Sequence, residues 1–214
     1  MKSGDRLIVL GYTKINDSAI VLHALTQGRG RRSFIVSAGK NLSLLQPLSI
    51  VEAEISENPK SSLARASRFY ALRPLVSLRT DPRKNAMALF MGEVLYRSVK
   101  DGMGDEDMFA WCEKSIATLE ELESDFANYH LLFLLGLASQ MGFAPSLEDI
   151  APFAGERLRD AGAMLSLPFA DALIYPLSGD RRSELCDIFL RYLAHHSESA
   201  LDIRSLAVFK ELFR

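Results

Sequence analysis

Residues 19–38 read AIVLHALTQGRGRRSFIVSA: two apolar runs, Ala19–Thr26 and Arg32–Ala38, held apart by Gly28-Arg29-Gly30. In the second run Phe34, Val36 and Ala38 alternate with Ser33 and Ser37, the period of a half-buried strand. A tight turn needs positive φ, which Gly28 or Gly30 supplies at little steric cost. The stretch is therefore a β-hairpin. The strand over Arg32–Ala38 also disposes of a phosphate loop, since that motif requires Gly-Lys-Ser/Thr entering a helix, and here Gly39-Lys40 is followed by Asn41.

Working outward from the hairpin, Arg6–Thr13 is a preceding strand broken at Asn16-Asp17. Leu48–Ile55 is a following one, with Val51, Ala53 and Ile55 alternating against Glu52 and Glu54. Residues 61–70 (SSLARASRFY) are expected to form a short helix, and Ala71–Leu78 a last strand or extended segment interrupted by Pro74. Five strands with a helix before the last match an OB-type barrel, and the pattern alone leaves an SH3-like barrel open. At Asp81-Pro82 the period changes. Asp as N-cap and Pro at the first position start a helix, and Met87, Phe90, Met91, Val94 and Leu95 recur at helical spacing. A second helix carries Met108, Trp111, Cys112, Ile116 and Leu119. Asp125–Gln140 is a central helix, buried nearly all round. Residues 143–153 are expected as loop, Asp160-Ala161-Gly162 as a turn, and Arg182–His195 and Asp202–Phe213 as amphipathic helices. The fold class is α+β multidomain: a five-stranded OB-type barrel over residues 1–80, then an all-α domain over 81–214.

Charge divides at the same place. Residues 1–80 hold 12 Lys+Arg against 5 Asp+Glu, and residues 81–214 hold 13 against 22. Only the first part has the excess to attract a polyanion. Arg29, Arg31 and Arg32 crowd the hairpin, either as a solvated tip or as a seat for an anion; Lys40 ends its second strand, and Arg65 and Arg68 are among the residues that continue the excess. These six are the candidate DNA-binding residues, and six phosphate contacts on a single strand give a salt slope of about −4. Of the nearby aromatics, Tyr12, Phe34, Phe69 and Tyr70, Phe34 is assigned to the core. Backbone contact is thus expected to dominate over base stacking.

Catalytic residues are not expected, because nothing assembles a nucleophile, a base and an oxyanion donor. His195-His196 is read as a helix-terminal pair, and Glu120, Glu121 and Glu123 as solvated helix surface. Cys112 and Cys186 sit in apolar segments without metal-ligand spacing, so no metal, cofactor or disulfide is expected and a reducing cytoplasm is. The N-terminal apolar run is too short for a signal peptide, and no stretch of ~20 apolar residues crosses a membrane.

Several short stretches, in the same order along most of the chain, resemble the bacterial RecO family of recombination mediators and DNA repair proteins. They include Asp17-Ser-Ala-Ile-Val21, Leu44-Leu-Gln-Pro-Leu48, Ala71-Leu-Arg-Pro-Leu75, Asp81-Pro-Arg-Lys84, Ala88–Tyr96, Asn128-Tyr-His-Leu131 and the closing Ile203–Phe213. The resemblance implies an OB-fold followed by a helical domain, binding of single- and double-stranded DNA, strand annealing, and help in loading recombinase onto strands coated by single-strand-binding protein (SSB). RecR and the C-terminal tail of SSB are the implied partners, in a cytoplasmic, nucleoid-associated protein. Some members hold zinc on four cysteines, which Cys112 and Cys186 cannot supply. The alternative is a non-catalytic scaffold whose barrel binds acidic peptides rather than DNA.

Overall fold

A computed structural model describes residues 2–39, 42–57 and 61–214. Five strands, β1 (Lys2–Asn16), β2 (Ala19–Thr26), β3 (Gly30–Ser37), β4 (Ile50–Ser56) and β5 (Ala64–Ala71), close in the order β1-β2-β3-β5-β4. All pairings are antiparallel except β3 with β5, where Phe34 lies opposite Ala64. This is an OB-type barrel. The long β1 serves two neighbours: Lys2–Ile8 pair with β4 and Leu7–Asn16 with β2, with a register shift between Val9 and Gly11 where the strand bends. Leu7, Val9, Leu22, Ala24, Phe34, Val36, Val51, Ala53 and Ile55 fill the interior.

The expected helix at residues 61–70 is instead β5; of the strand or extended segment expected at 71–78, Ala71 ends β5 and the last three residues belong to the helix α1 (Val76–Thr80). Two alanines carry the misreading. As isolated residues they favour a helix, but Ala64 and Ala66 alternate with exposed Arg65 and half-buried Ser67. Small side chains there leave room inside the barrel for Phe34, which is fully buried. α1 is also held from a distance: the Glu120 carboxylate accepts from Ser77 N–H and Leu78 N–H, both at 2.8 Å. Glu120 is thus a cap for α1 rather than a solvated surface residue, whereas exposed Glu121 pairs with Arg73.

Helix α2 (Pro82–Ser98) starts as its sequence dictates, with the Asp81 carboxylate accepting from Arg83 N–H at 2.7 Å. It is the element that joins the two parts. A Cβ at Gly92 would stand 3.0 Å from the Leu10 carbonyl oxygen, tighter than an ordinary contact, so glycine favours the close approach of α2 to β1. Then come α3 (Glu106–Glu121), a 3-10 turn at Phe126–Asn128, and α4 (Tyr129–Gln140), buried on most sides. α5 (Leu147–Ala154) occupies residues expected as loop. Its start is a capping box between Ser146 and Asp149, and Pro152 stands within it. α6 (Leu158–Ser166) runs through the expected turn at Asp160-Ala161-Gly162, because buried Asp160 is held by Arg181 and by the Tyr175 hydroxyl at 3.1 Å. α7 (Phe169–Ile174), α8 (Gly179–Ser197) and α9 (Leu206–Leu212) complete the chain.

Two apolar clusters result. One fills the barrel. The other begins on the barrel's outer surface, with Ile8, Leu10, Leu25, Leu48 and Ile50, and continues without a break through the helices. The barrel therefore lends one outer face to the helical core, while Arg65, Arg68 and Tyr70 on the outer side of β5 are exposed.

Candidate nucleic-acid interface

The β2–β3 turn is tied together by hydrogen bonds to Thr26. The buried Thr26 hydroxyl donates to the Gly30 carbonyl at 2.9 Å and accepts from Arg29 N–H at 3.0 Å. Gly30 has φ +64°, and a Cβ there would meet the Met103 carbonyl oxygen at 2.3 Å. Of the two glycines that could supply the turn, Gly30 does so.

From this turn the three arginines part. Strand alternation puts Arg32 on the same side as Phe34, over whose ring its guanidinium lies at 5.7 Å, at the mouth of the barrel. Arg29 reaches the same mouth from the tip. Both guanidiniums converge on one oxygen, Glu57 Oε1, at 3.0 Å from Arg29 and 3.4 Å from Arg32. Burial raises the Asp5 carboxyl above its ordinary pKa, an effect offset in part by the Arg6 N–H and then by the charges of Arg29 and Arg32. The mouth is thus a nearly balanced cluster with two guanidiniums aimed at a single anion position.

Arg31 points the opposite way, onto the helices. Its guanidinium lies 5.1 Å from the Tyr96 ring centre and 3.6 Å from Asp101, with the side chain 15% exposed. Its backbone is bound as well: Arg31 N–H donates to the Met103 carbonyl and its own carbonyl accepts from Gly102 N–H, both at 2.8 Å. Beside it the His23 ring lies tilted against Tyr96, centres 4.4 Å apart, and shares hydrogen bonds with Ser33 (2.9 Å) and Thr13 (3.1 Å). Burial, then Arg31, lowers the His23 pKa, and Asp101 partly restores it.

Arg65 and Arg68 lie on the solvent side of β5. Arg65 is exposed and has no ion-pair partner among the described residues. Arg68 donates to Glu54 Oε1 at 2.6 Å. Lys40 lies outside the described residues. The structure therefore brings Arg29 and Arg32 together, puts Arg65 and Arg68 on another face, and turns Arg31 to the helices. Phe34 and Phe69 are buried in the barrel, while Tyr12 and Tyr70 are exposed. Sequence reasoning missed the counter-charges Glu57, Asp5 and Asp101. Glu57 was legible as an acid beside basic strands, but Asp101 meets Arg31 only through the docking of the helices.

His195 and His196 occupy the last turn of α8, with His196 stacked on Phe143 at 5.1 Å. No helix among the described residues is long and apolar enough to cross a membrane.

A family model described as recombination protein O, C-terminal, matches residues 79–152. The chain is 30% identical to the DNA repair protein RecO of Bacteroides fragilis, over 96% of this chain and 97% of that one. It is 29% identical to the RecO of Phocaeicola vulgatus over the same shares, and 24% identical to that of Flavobacterium psychrophilum over the whole of both chains.

Proposed function

The chain belongs to the RecO family of DNA repair proteins, and on that premise we propose that it is a non-catalytic recombination mediator that holds DNA by its phosphate backbone. The observation that carries this reading is the convergence of Arg29 and Arg32 on one carboxylate oxygen of Glu57. A carboxylate oxygen bridging two guanidiniums marks a position that a phosphate oxygen fits. Arg65 and Arg68 add contacts along the barrel, and Arg31 acts by fixing the hairpin that presents Arg29 and Arg32. Such contacts serve single and double strands alike and carry little sequence preference. Neutralising two complementary strands on neighbouring molecules lowers their repulsion and favours annealing.

We assign DNA contact to the barrel, residues 1–80, and partner docking to the helical part, residues 81–214. In that division the helical part meets RecR and the C-terminal tail of SSB, as a step in loading recombinase onto SSB-coated DNA in the nucleoid-containing cytoplasm. A scaffold reading, in which the barrel takes acidic peptides instead, draws on the same two guanidiniums and is separated by titration.

The test is the salt dependence of binding to a labelled single strand. Four arginines, Arg29, Arg32, Arg65 and Arg68, give a slope of log affinity against log salt of about −3, and Arg29→Ala or Arg32→Ala each flattens it by about 0.7. Glu57→Gln removes the competing anion, so it tightens binding and steepens the response to salt. A salt-independent affinity, or binding only to an SSB-tail peptide, contradicts the proposal.

A further inference from the structure

Strand β5 contains an irregularity with a directional consequence. Glu52 pairs with Tyr70 and Glu54 with Ser67, so Arg68 and Phe69 together stand opposite Ala53. Arg68 takes φ +56°, a left-handed conformation unusual for a residue with a side chain. A strand without this bulge would send Arg68 inward and Phe69 outward. With it, Phe69 enters the barrel, and Arg68 and Tyr70 emerge on the outer face that Arg65 already occupies. Tyr70 is 64% exposed, and among the described residues its hydroxyl has no hydrogen-bond partner. A strained backbone conformation that points an aromatic ring into solvent beside two arginines is the kind of outlier from which function is inferred.

The surface that barrels of this type ordinarily offer to nucleic acid, the outside of strands 2 and 3, is partly closed here. Its hairpin end is covered by Tyr96 and by the turn carrying Asp101 and Met103. The outer face of β5 is open. We propose that this face is a second segment of the single-strand path, beyond the Arg29/Arg32 mouth. On it Tyr70 is a stacking platform for a base, and Arg65 and Arg68 hold the flanking phosphates. The β4 partners of Arg65 and Tyr70, Ser56 and Glu52, are four residues apart, which separates the two by about 13 Å at ~3.3 Å per residue, room for more than one nucleotide. Exposed Glu52, paired with Tyr70 on β4, repels phosphate from that side, so the strand's backbone follows the β3 side, where Arg65 neighbours Ile35. Bound this way, a strand keeps a base fixed on the ring while its backbone is neutralised.

This inference rests on the DNA-binding reading, and one experiment separates their failures. The full chain is titrated by fluorescence anisotropy with a fluorescein-labelled oligothymidylate and with an abasic strand of equal length. Wild type prefers the thymidylate. Tyr70→Ala weakens it by roughly five- to a hundred-fold, leaves the abasic strand and the salt slope unchanged, and melts like wild type. Tyr70→Phe keeps the preference, because stacking uses the ring and not the hydroxyl. Equal affinities of wild type and Tyr70→Ala for the thymidylate, while Arg32→Ala still weakens binding, overturn the β5 path and spare the mouth. Equal losses on both strands overturn stacking. Binding of neither strand by wild type overturns both readings. A loss confined to an acidic peptide also overturns the path, by giving the face to a peptide.

Discussion

His130 lies in α4 with its ring enclosed by Phe90, Phe209 and Phe213. Burial, aided by the nearby Arg182 charge, drives its pKa from the ordinary 6.5 down to about 3. The unfolded chain therefore binds a proton that the folded chain refuses at every pH between these values. Stability from the neutral ring is complete above pH 6.5 and is lost as pH falls toward 3. From pH 7 to pH 5 the loss from this one group is about 2 kcal/mol. His23, also held below its ordinary pKa, adds in the same direction. His130→Phe puts an untitratable ring among the same aromatic neighbours, so urea unfolding at pH 7 and pH 5 should differ less in the variant. Parallel losses in the two proteins count against this account. The burial of His130 was legible in part, since the apolar run Leu131–Leu137 follows it directly. Its aromatic enclosure was not, because Phe209 and Phe213 arrive from the other end of the chain.

Among the elements, the β2–β3 hairpin shows how far local pattern reaches. Two strands and a glycine turn follow from residues 19–38, and the same alternation that assigns Phe34 to the core puts Arg32 on its side and Arg31 on the other. Grouping the arginines by charge ignores that alternation. Tyr96 and Asp101, the partners that give Arg31 its task, come from α2 and the turn after it. β5 fails for a related reason: alanine is a helix former on its own account, and a barrel needing small inward residues overrides that preference. Arg31 and Arg32, adjacent in sequence, should therefore separate in experiment. Arg31→Ala loses a largely buried cation–π contact, about 1 kcal/mol of stability, and keeps DNA affinity within about two-fold of wild type at a salt slope set by other residues. Arg32→Ala weakens DNA binding with a smaller change in stability. Denaturation midpoints and anisotropy isotherms on the two variants check this pair, and a loss of affinity without loss of stability in Arg31→Ala reverses the assignment.

At the scale of the whole molecule, the change of period and of charge near residue 80 announces two architectures, and both are present. It does not announce how they are joined. The outer residues Ile8, Leu10, Leu25, Leu48 and Ile50 belong to the same apolar cluster as the helical core, and alternation along a strand cannot distinguish an outer face covered by helices from an inner one. Further ties cross the seam: Arg79 donates to the Pro47 carbonyl and the Ser49 hydroxyl, both at 2.9 Å, and Arg6 pairs with Glu113. A barrel detached from the helices would expose that apolar face, so the two parts should unfold as one. Trp111, the single tryptophan, stands in α3 against Phe133 of α4 and reports on the helices alone. Phe34 belongs to the separate cluster inside the barrel. Phe34→Ala removes a buried ring at a cost of about 3–5 kcal/mol. If unfolding is cooperative across the seam, that whole cost appears in the denaturation midpoint read from Trp111 fluorescence, and calorimetry gives one transition whose calorimetric and van't Hoff enthalpies agree. An unchanged Trp111 midpoint in Phe34→Ala means that the barrel melts on its own. In that case the shared cluster holds the two parts in position without coupling their stability.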